Sequence, residues 1–238
     1  MPDVGRPLGV AFCHNYAMDR YDPATVFSSI DARGRYAYGS QPGIAQWNLA
    51  RFAETLLPLI DADETRVIAR ATEVIEAFSE TYRRHWLNGM RAKLSLFSEE
   101  EADLNLAENF LAAMKDNNVD YTLAFRYLVN AASGDEKSIR ALFVDPAAYD
   151  RWNNHWRARL APEEAAPKKR AEAMRRVNPS FIPRNHRVEE ALSAAMEDGD
   201  YDLFDTLLKI LSRPFEDHPA FAAFAEPAPE SQERYRTY

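Results

Sequence analysis

The sequence predicts a mainly α-helical protein, with any β structure confined to the residues before position 42. Two observations support this prediction. After Pro42, apolar residues recur with the 3.6-residue period of an α-helix through most of the chain. Residues 1–42 are instead rich in Gly, Pro, Asp and Tyr and show no sustained period, which is typical of turns and ordered loops.

One short β element is predicted within this first segment. Residues Val26 to Ile30 and Arg35 to Tyr38 contain β-branched and aromatic side chains on either side of Gly34. Such a pattern favours a short hairpin that turns at the glycine. The alternative is an ordered loop.

Two long helices are predicted next. The first begins after Pro42 and runs to about Leu57, and Pro58 should end or bend it. The second begins after Asp61, which forms with Glu64 the spacing of a capping box. Each helix has an apolar stripe that should be buried; the stripes are Leu49, Phe52, Ala53, Leu56 and Ile60 in the first, and Val67, Ala71, Val74, Ile75, Phe78 and Tyr82 in the second.

Further helices follow from caps and periodicity. They are expected at about 120–132, 145–160, 187–197 and 201–211. A helix before these is predicted to be capped by Ser98 and Glu101, to bury Leu106, Phe110, Leu111 and Met114, and to end at Asn117 and Asn118. Residues 161–174, APEEAAPKKRAEAM, are polar and interrupted by proline, so they are predicted to be a linker that leads into a short basic helix.

These elements predict four successive regions. Residues 1–42 are loop-rich, residues 43–160 form a helical core, residues 161–227 contain the linker and C-terminal helices, and residues 228–238 form a loose tail.

Composition excludes several classes of function. The chain has 37 acidic and 29 basic side chains, for a net charge of -8, and no long basic run, so nucleic acid is not an expected partner. Cys13 is the single cysteine, which excludes an intrachain disulfide and a thiolate metal cluster and favours a reducing compartment. No stretch approaches the roughly 20 apolar residues of a membrane span. A cytoplasmic protein without a membrane partner is therefore expected.

The first candidate site is the stretch AFCHNYAMDRYDP at residues 11–23. Cys13 and His14 suggest a nucleophile and its base, but adjacent side chains point in different directions, so a loop is favoured. Asp19 and Asp22 are possible Mg²⁺ ligands, although an aspartate before proline is also a plain turn signal. A structural role is favoured for both aspartates.

The other polar clusters give no complete site either. His85 and His155 each lack a second histidine at metal-binding spacing, so both are expected at the core edge or on the surface. Arg184, Asn185, His186 and Arg187 could bind an anion at a helix N-terminus, but Asn185 as a helix cap explains the same letters. The glycines fit neither the dinucleotide nor the phosphate-loop pattern. The residues alone therefore assign no catalytic, cofactor-binding or metal-binding residue.

The chain resembles the C-terminal half of the selenoprotein O family, also called YdiU. The matching stretches cover over 200 residues in the family's order. They are MDRYDPATVFSSIDARGRYAYGSQPGIAQWNLARFAETLLPLI at 18–60, MRAKLSL at 90–96, VDYTLAFRYL at 119–128, VNPSFIPRNHRVEEAL at 177–192 and RPFEDHPAFAAFAEP at 213–227.

This resemblance implies a fold and an activity. Family members are kinase-fold protein adenylyltransferases, which use ATP and Mg²⁺ to transfer AMP to Ser, Thr or Tyr hydroxyls of proteins. The resemblance therefore implies the remnant of a kinase-like C-lobe with a helical extension. In the family, the nucleotide loop, the phosphate-binding lysine and the catalytic base lie in the N-terminal half.

Aligned on MDRYDP, the family's metal-binding Asp-Tyr-Gly-Pro falls on Ala11, Phe12, Cys13 and His14. Alanine offers no lone pair to a metal. The isolated chain is therefore expected to hold neither ATP nor Mg²⁺ and to be inactive, with a separate kinase-like lobe or a second copy as its partner. The alternative is a non-catalytic helical remnant or protein-binding module.

Overall fold

The computed structural model describes residues 18–28 and 30–229, and the regular structure of these residues is helical. The α-helices are α1 (Gln41–Ile60), α2 (Glu64–Leu94), α3 (Asp103–Asp116), α4 (Tyr121–Ala132), α5 (Lys137–Arg140), α6 (Pro146–Leu160), α7 (Pro167–Arg175), α8 (Asn185–Glu197) and α9 (Asp202–Leu211). Short 3-10 helices lie at Tyr38–Ser40 and Pro219–Phe224. The predicted mainly α fold is confirmed. Among the helices of the described residues, none has the length and apolar character needed to cross a membrane.

The chain forms two compact units. The first is Asp22–Gly89, which we call the hairpin unit because it contains the two successive helices α1 and α2. The second, the helical body, comprises the described residues 18–21 and 90–229. Helix α2 belongs to the hairpin unit up to Gly89, and its last residues belong to the body. The division into four regions after residues 42, 160 and 227 stays a prediction.

The predicted β-hairpin of Val26 to Ile30 with Arg35 to Tyr38 does not form in the described part of that segment, which contains turns instead. The Asp31 carboxylate accepts hydrogen bonds from the backbone N–H groups of Arg35 at 2.9 Å and Tyr36 at 2.8 Å. Gly34, with φ of +64°, lies inside this turn. Local bonds to one carboxylate therefore replace the ladder of a strand pair.

In the hairpin unit, α1 and α2 run beside each other. The Gln46 side chain donates to the Ile75 carbonyl at 2.9 Å and accepts from the Ser79 hydroxyl at 3.1 Å. The predicted capping box is wrong, because Asp63 and not Asp61 accepts the first-turn N–H, that of Arg66, at 3.1 Å. Asp61 instead pairs with the Arg66 guanidinium at 2.7 Å.

Helix α1 has no buried residue, contrary to the prediction from its apolar stripe. Leu49, Phe52 and Ile60 are exposed, with Phe52 at 60%. Pro58 does not end the helix, as one of the two predicted outcomes required, but lies inside its last turn. In α2, Val67 is buried but Val74 is 70% exposed. The amphipathic pattern predicted these helices correctly, but the apolar side chains are only partly covered by the described residues.

The core of the helical body is aromatic. Phe110 of α3 stacks on Trp152 of α6 with ring centroids 4.1 Å apart and meets Phe125 of α4 edge to face at 5.4 Å. Trp156 stacks on Trp152 at 5.6 Å. The predicted buried face of α3 is confirmed, since Leu106, Phe110, Leu111 and Met114 are all buried. Packing of these large rings is a main source of the stability of the body.

Helix starts in the body test the predicted caps. Asp145 caps α6 by accepting from the Ala147 N–H at 3.0 Å, as predicted. The cap predicted at Ser98 and Glu101 is wrong, since α3 begins at Asp103 after Ala102. Asn185 is the first residue of α8 and not its cap.

The segment predicted to be a linker is bonded firmly to the body through Glu163. Its carboxylate accepts hydrogen bonds from the Ser98 hydroxyl at 2.9 Å, from Arg170 at 2.9 Å and from Arg159 at 3.0 Å. Burial alone would raise the pKa of Glu163, but the bonds from Ser98, Arg170 and Arg159 outweigh it and lower the pKa to about 2. The polar composition of residues 161–174 did not reveal these contacts, because Ser98 is distant in sequence and the two arginines lie on α6 and α7.

We expect Glu163→Ala to lower the free energy of unfolding by about 3 kcal/mol at pH 7, because two nearly buried arginines each lose one carboxylate partner. The folded-state pKa lies below the unfolded value of 4.5, so the contribution is complete above pH 4.5 and is lost as the pH falls towards 2. Urea unfolding of both proteins at several pH values measures it. The neighbouring exposed Glu164→Ala is the control; equal losses for both variants would contradict the role of Glu163.

Candidate functional site

The segment that begins the described chain is fixed to the start of α4. The Tyr121 N–H donates to the Asp19 carbonyl at 2.7 Å, and the Tyr21 N–H donates to the Val119 carbonyl at 3.0 Å. The Tyr21 ring stacks on Tyr121 with centroids 5.7 Å apart. Residues 18–21 therefore lie in one defined position on the body.

A buried arginine reinforces this attachment. Arg184, just before α8, is 1% exposed. Its Nη1 donates to the carboxylates of Asp19 and Asp120, the latter at 2.6 Å, and its Nη2 donates to Asp120 at 3.2 Å and to the Ala225 carbonyl at 2.8 Å. We call these three charged residues the Asp19–Arg184–Asp120 cluster.

Asp120 also caps α4. Its carboxylate accepts from the Leu123 N–H at 2.8 Å, so one side chain completes the helix and binds the arginine. Burial raises the pKa of Asp120, and the neighbouring Arg184 partly offsets that rise. Burial alone would lower the pKa of Arg184, but Asp120 and Asp19 outweigh it and raise it, so the guanidinium stays charged.

His186 lies beside the cluster in the first turn of α8 and is 2% exposed. Burial lowers its pKa, and the nearby charge of Arg187 lowers it further, while Asp19 acts in the opposite direction. Its Nδ1 has no hydrogen-bond partner among the described residues. The imidazole is therefore neutral at pH 7, in a region whose charges are already paired.

This arrangement holds residues 18–21 against the start of α4. Asp19 is committed to Arg184, and the Asp22 carboxylate accepts the Ala24 N–H at 2.9 Å, as in an aspartate turn. Within residues 18–28 and 30–229, no three His, Cys, Asp or Glu side chains group closely enough to hold a metal ion.

The remaining candidates are dispersed or lie elsewhere. Ala11, Cys13 and His14 lie outside the described residues. His85 and His155 are exposed, which agrees with their predicted position at the core edge or on the surface. Of the predicted anion-binding group, Arg184 is occupied by carboxylates, and Arg187 binds Glu190 at 2.8 Å.

Sequence reasoning missed Lys93 at the end of α2. Its ammonium group lies over the Phe125 ring at 4.8 Å and donates to Asn178 at 3.3 Å, without a carboxylate partner among the described residues. Burial lowers the pKa of Lys93 to about 8. A lone lysine in a helix gives no sequence signal of this environment.

Comparison with known proteins gives one family. Residues 12–212 match the model of a family described as protein adenylyltransferase SelO. The chain is 50% identical over 223 residues to the protein nucleotidyltransferase YdiU of Rhizobium johnstonii and 53% identical over 222 residues to that of Cereibacter sphaeroides. The YdiU protein of Methylorubrum extorquens is 46% identical over 229 residues.

The coverage of these matches is unequal. They include 93% of this chain but 45%, 44% and 46% of the three relatives. The chain thus spans less than half the length of the curated relatives that it matches. More than half of each relative has no counterpart in the described helices.

We expect Arg184→Met to lower the free energy of unfolding by about 3 kcal/mol or more, because two partly or fully buried carboxylates lose their counter-ion. Denaturant unfolding measures the loss, and amide exchange should show the Tyr21 and Tyr121 N–H groups losing protection.

The control is Arg140→Met, which removes a bidentate but exposed pair with Asp150 and should cost less than about 1 kcal/mol. If both variants lose the same stability, or if exchange at Tyr21 stays unchanged in Arg184→Met, the anchoring role of the cluster is wrong.

Proposed function

This chain belongs to the protein adenylyltransferase SelO family, and on that premise we propose that it is the helical portion of a protein nucleotidyltransferase. The reaction is AMP transfer from ATP to protein hydroxyl groups. A hydroxyl oxygen bonds to the α-phosphorus, the bond to pyrophosphate breaks, and the hydroxyl proton leaves to a base. The observation that carries this proposal is the match of residues 12–212 to the family model.

We assign the described residues a positioning role in that reaction. By resemblance, residues 18–21 follow directly on the loop that holds the metal in the family. The Asp19–Arg184–Asp120 cluster and the backbone bonds to α4 fix the start of this segment. A loop that ends at a fixed point has fewer positions to explore, which lowers the entropy cost of holding a metal in one geometry.

The nucleotide-binding groups are proposed to come from polypeptide equivalent to the unmatched part of the relatives. Two features support this division. No three His, Cys, Asp or Glu side chains of the described residues group closely enough to hold a metal ion, and the chain spans 45% of the R. johnstonii protein. Developing charge on a transferred phosphoryl group requires metal and cationic donors in a fixed arrangement. The isolated chain is therefore proposed to be inactive.

The partner surface is proposed to be the exposed apolar side chains of α1 and α2. They include Trp47, Leu49, Phe52 and Leu59 of α1, and Ile68 and Val74 of α2. Exposed apolar side chains in this number on two adjacent helices favour burial against another polypeptide. We propose that the unmatched part of the relatives' length covers them, either joined to this chain or as a separate chain.

We expect no transfer of labelled AMP when the purified chain is incubated with ATP, Mg²⁺ and casein as acceptor. We expect transfer when the unmatched portion of the R. johnstonii relative is joined to this chain in the relative's order. Transfer is measured as protein-bound label against the intact relative. In the joined protein, Leu49→Ser with Phe52→Ser should lower transfer about tenfold or more, because buried apolar contacts are lost.

The control is Met196→Ser, which removes an apolar side chain that is 84% exposed on α8 of the body and should leave transfer unchanged. Transfer by the chain alone would place an active site within it and overturn the proposal. A joined protein that is folded but inactive, beside an active intact relative, would favour the alternative of a non-catalytic protein-binding module.

A further inference from the structure

A groove of about 760 Å³ runs along the helical body between α3 and α6. The two helices are antiparallel, because Arg159 binds Asp103 at 2.8 Å near one end and the Asp145 N–H donates to Asn117 at 2.7 Å near the other. Leu106 and Trp152, both nearly buried, line the groove from the two helices. The groove therefore has an apolar component that is continuous with the core.

Two asparagines of α3 line this groove one helical turn apart. Neither Asn105 nor Asn109 has a side-chain hydrogen bond to another described residue, and both are exposed. Each amide can accept from a peptide N–H and donate to a peptide C=O at the same time. Residues at i and i+4 are separated by about 6 Å along a helix. An extended chain repeats every two residues in about 6.6 Å, so both amides match successive peptide groups on one edge.

The groove changes character along its length. Ala113 and Ala148 follow the asparagines towards the far end, and their small side chains leave room for a side chain of the bound segment. Asp116 and Asp145 line that end. Asp145 has a long 3.4 Å ion pair with exposed Arg151, whereas Asp116 has none with any described residue. Arg151 lines the groove as well and is already paired with Asp145, so the complementarity to a basic side chain at this end rests on Asp116.

We propose that the α3–α6 groove binds an extended peptide segment of a protein, with Asn105 and Asn109 on its backbone and a lysine or arginine side chain at Asp116. The inference goes beyond AMP transfer and does not depend on it, because the binding needs neither ATP nor the unmatched part of the relatives. A segment held in this way would bring a protein to the body by its backbone and one charge, with little selection for its other side chains.

The probes are fluorescein-labelled peptides Gly-Ser-Val-Ala-Val-Ala-Lys-Gly and the same residues in reverse order, since the groove accepts either direction a priori. We expect at least one to bind in fluorescence anisotropy, and replacing its Lys by Glu should weaken binding. Asn105→Ala with Asn109→Ala should weaken it about tenfold or more, because two pairs of hydrogen bonds are lost. Asp116→Asn should reduce the preference for Lys over Glu.

The matched control is Asn154→Ala, an exposed asparagine of α6 that does not line the groove. Nitrogen-15 spectra should show the side-chain amides of Asn105 and Asn109 shifting with peptide while that of Asn154 does not. No binding of either peptide up to about 1 mM would overturn the proposal. Binding that the double variant leaves unchanged, or shifts confined to other residues, would place the peptide elsewhere and overturn it as well. Circular dichroism verifies that all variants are folded.

Discussion

The described structure of the body depends on one requirement, that the charge of a guanidinium removed from water must be paired with acceptors. An unpaired buried charge costs several kcal/mol, so each buried arginine has to bring acceptors to itself. Arg184 gathers Asp19, Asp120 and the Ala225 carbonyl. Its partners come from the beginning, the middle and the end of the described chain. A single side chain thus fixes the relative positions of segments that no local pattern connects.

The same requirement governs two other buried arginines of the body, Arg159 and Arg170. Arg170 bonds to the Ser95 carbonyl at 2.7 Å, to the Leu160 carbonyl at 3.2 Å and to Glu163 at 2.9 Å. Arg159 binds both Asp103 and Glu163. These pairings hold helices of the body together.

Sequence patterns predicted the local structure well and the distant pairings not at all. The bounds of α4 and α6 follow from an aspartate cap and an apolar period, both of which involve neighbours within one or two turns. The caps predicted at Ser98 and Asp61 are wrong, because a side-chain oxygen that can accept a first-turn N–H can also bond to another partner. Ser98 binds Glu163, which is 65 residues away. Asp19 and Arg184 were singled out separately, but nothing in their spacing indicates that they meet.

The apolar stripe of α1 is the most informative disagreement, because the pattern was correct and the burial was not. An amphipathic helix is favoured where other residues cover its apolar side, because burying apolar surface stabilises by about 25 cal/mol per Å². Within the described residues, α1 contributes no buried residue, although Gln46 fixes it beside α2. The relatives carry more than half of their length beyond the stretch that this chain matches. The proposed contact with polypeptide equivalent to that length would cover the stripe, and it would account for an amphipathic pattern without burial among the described residues.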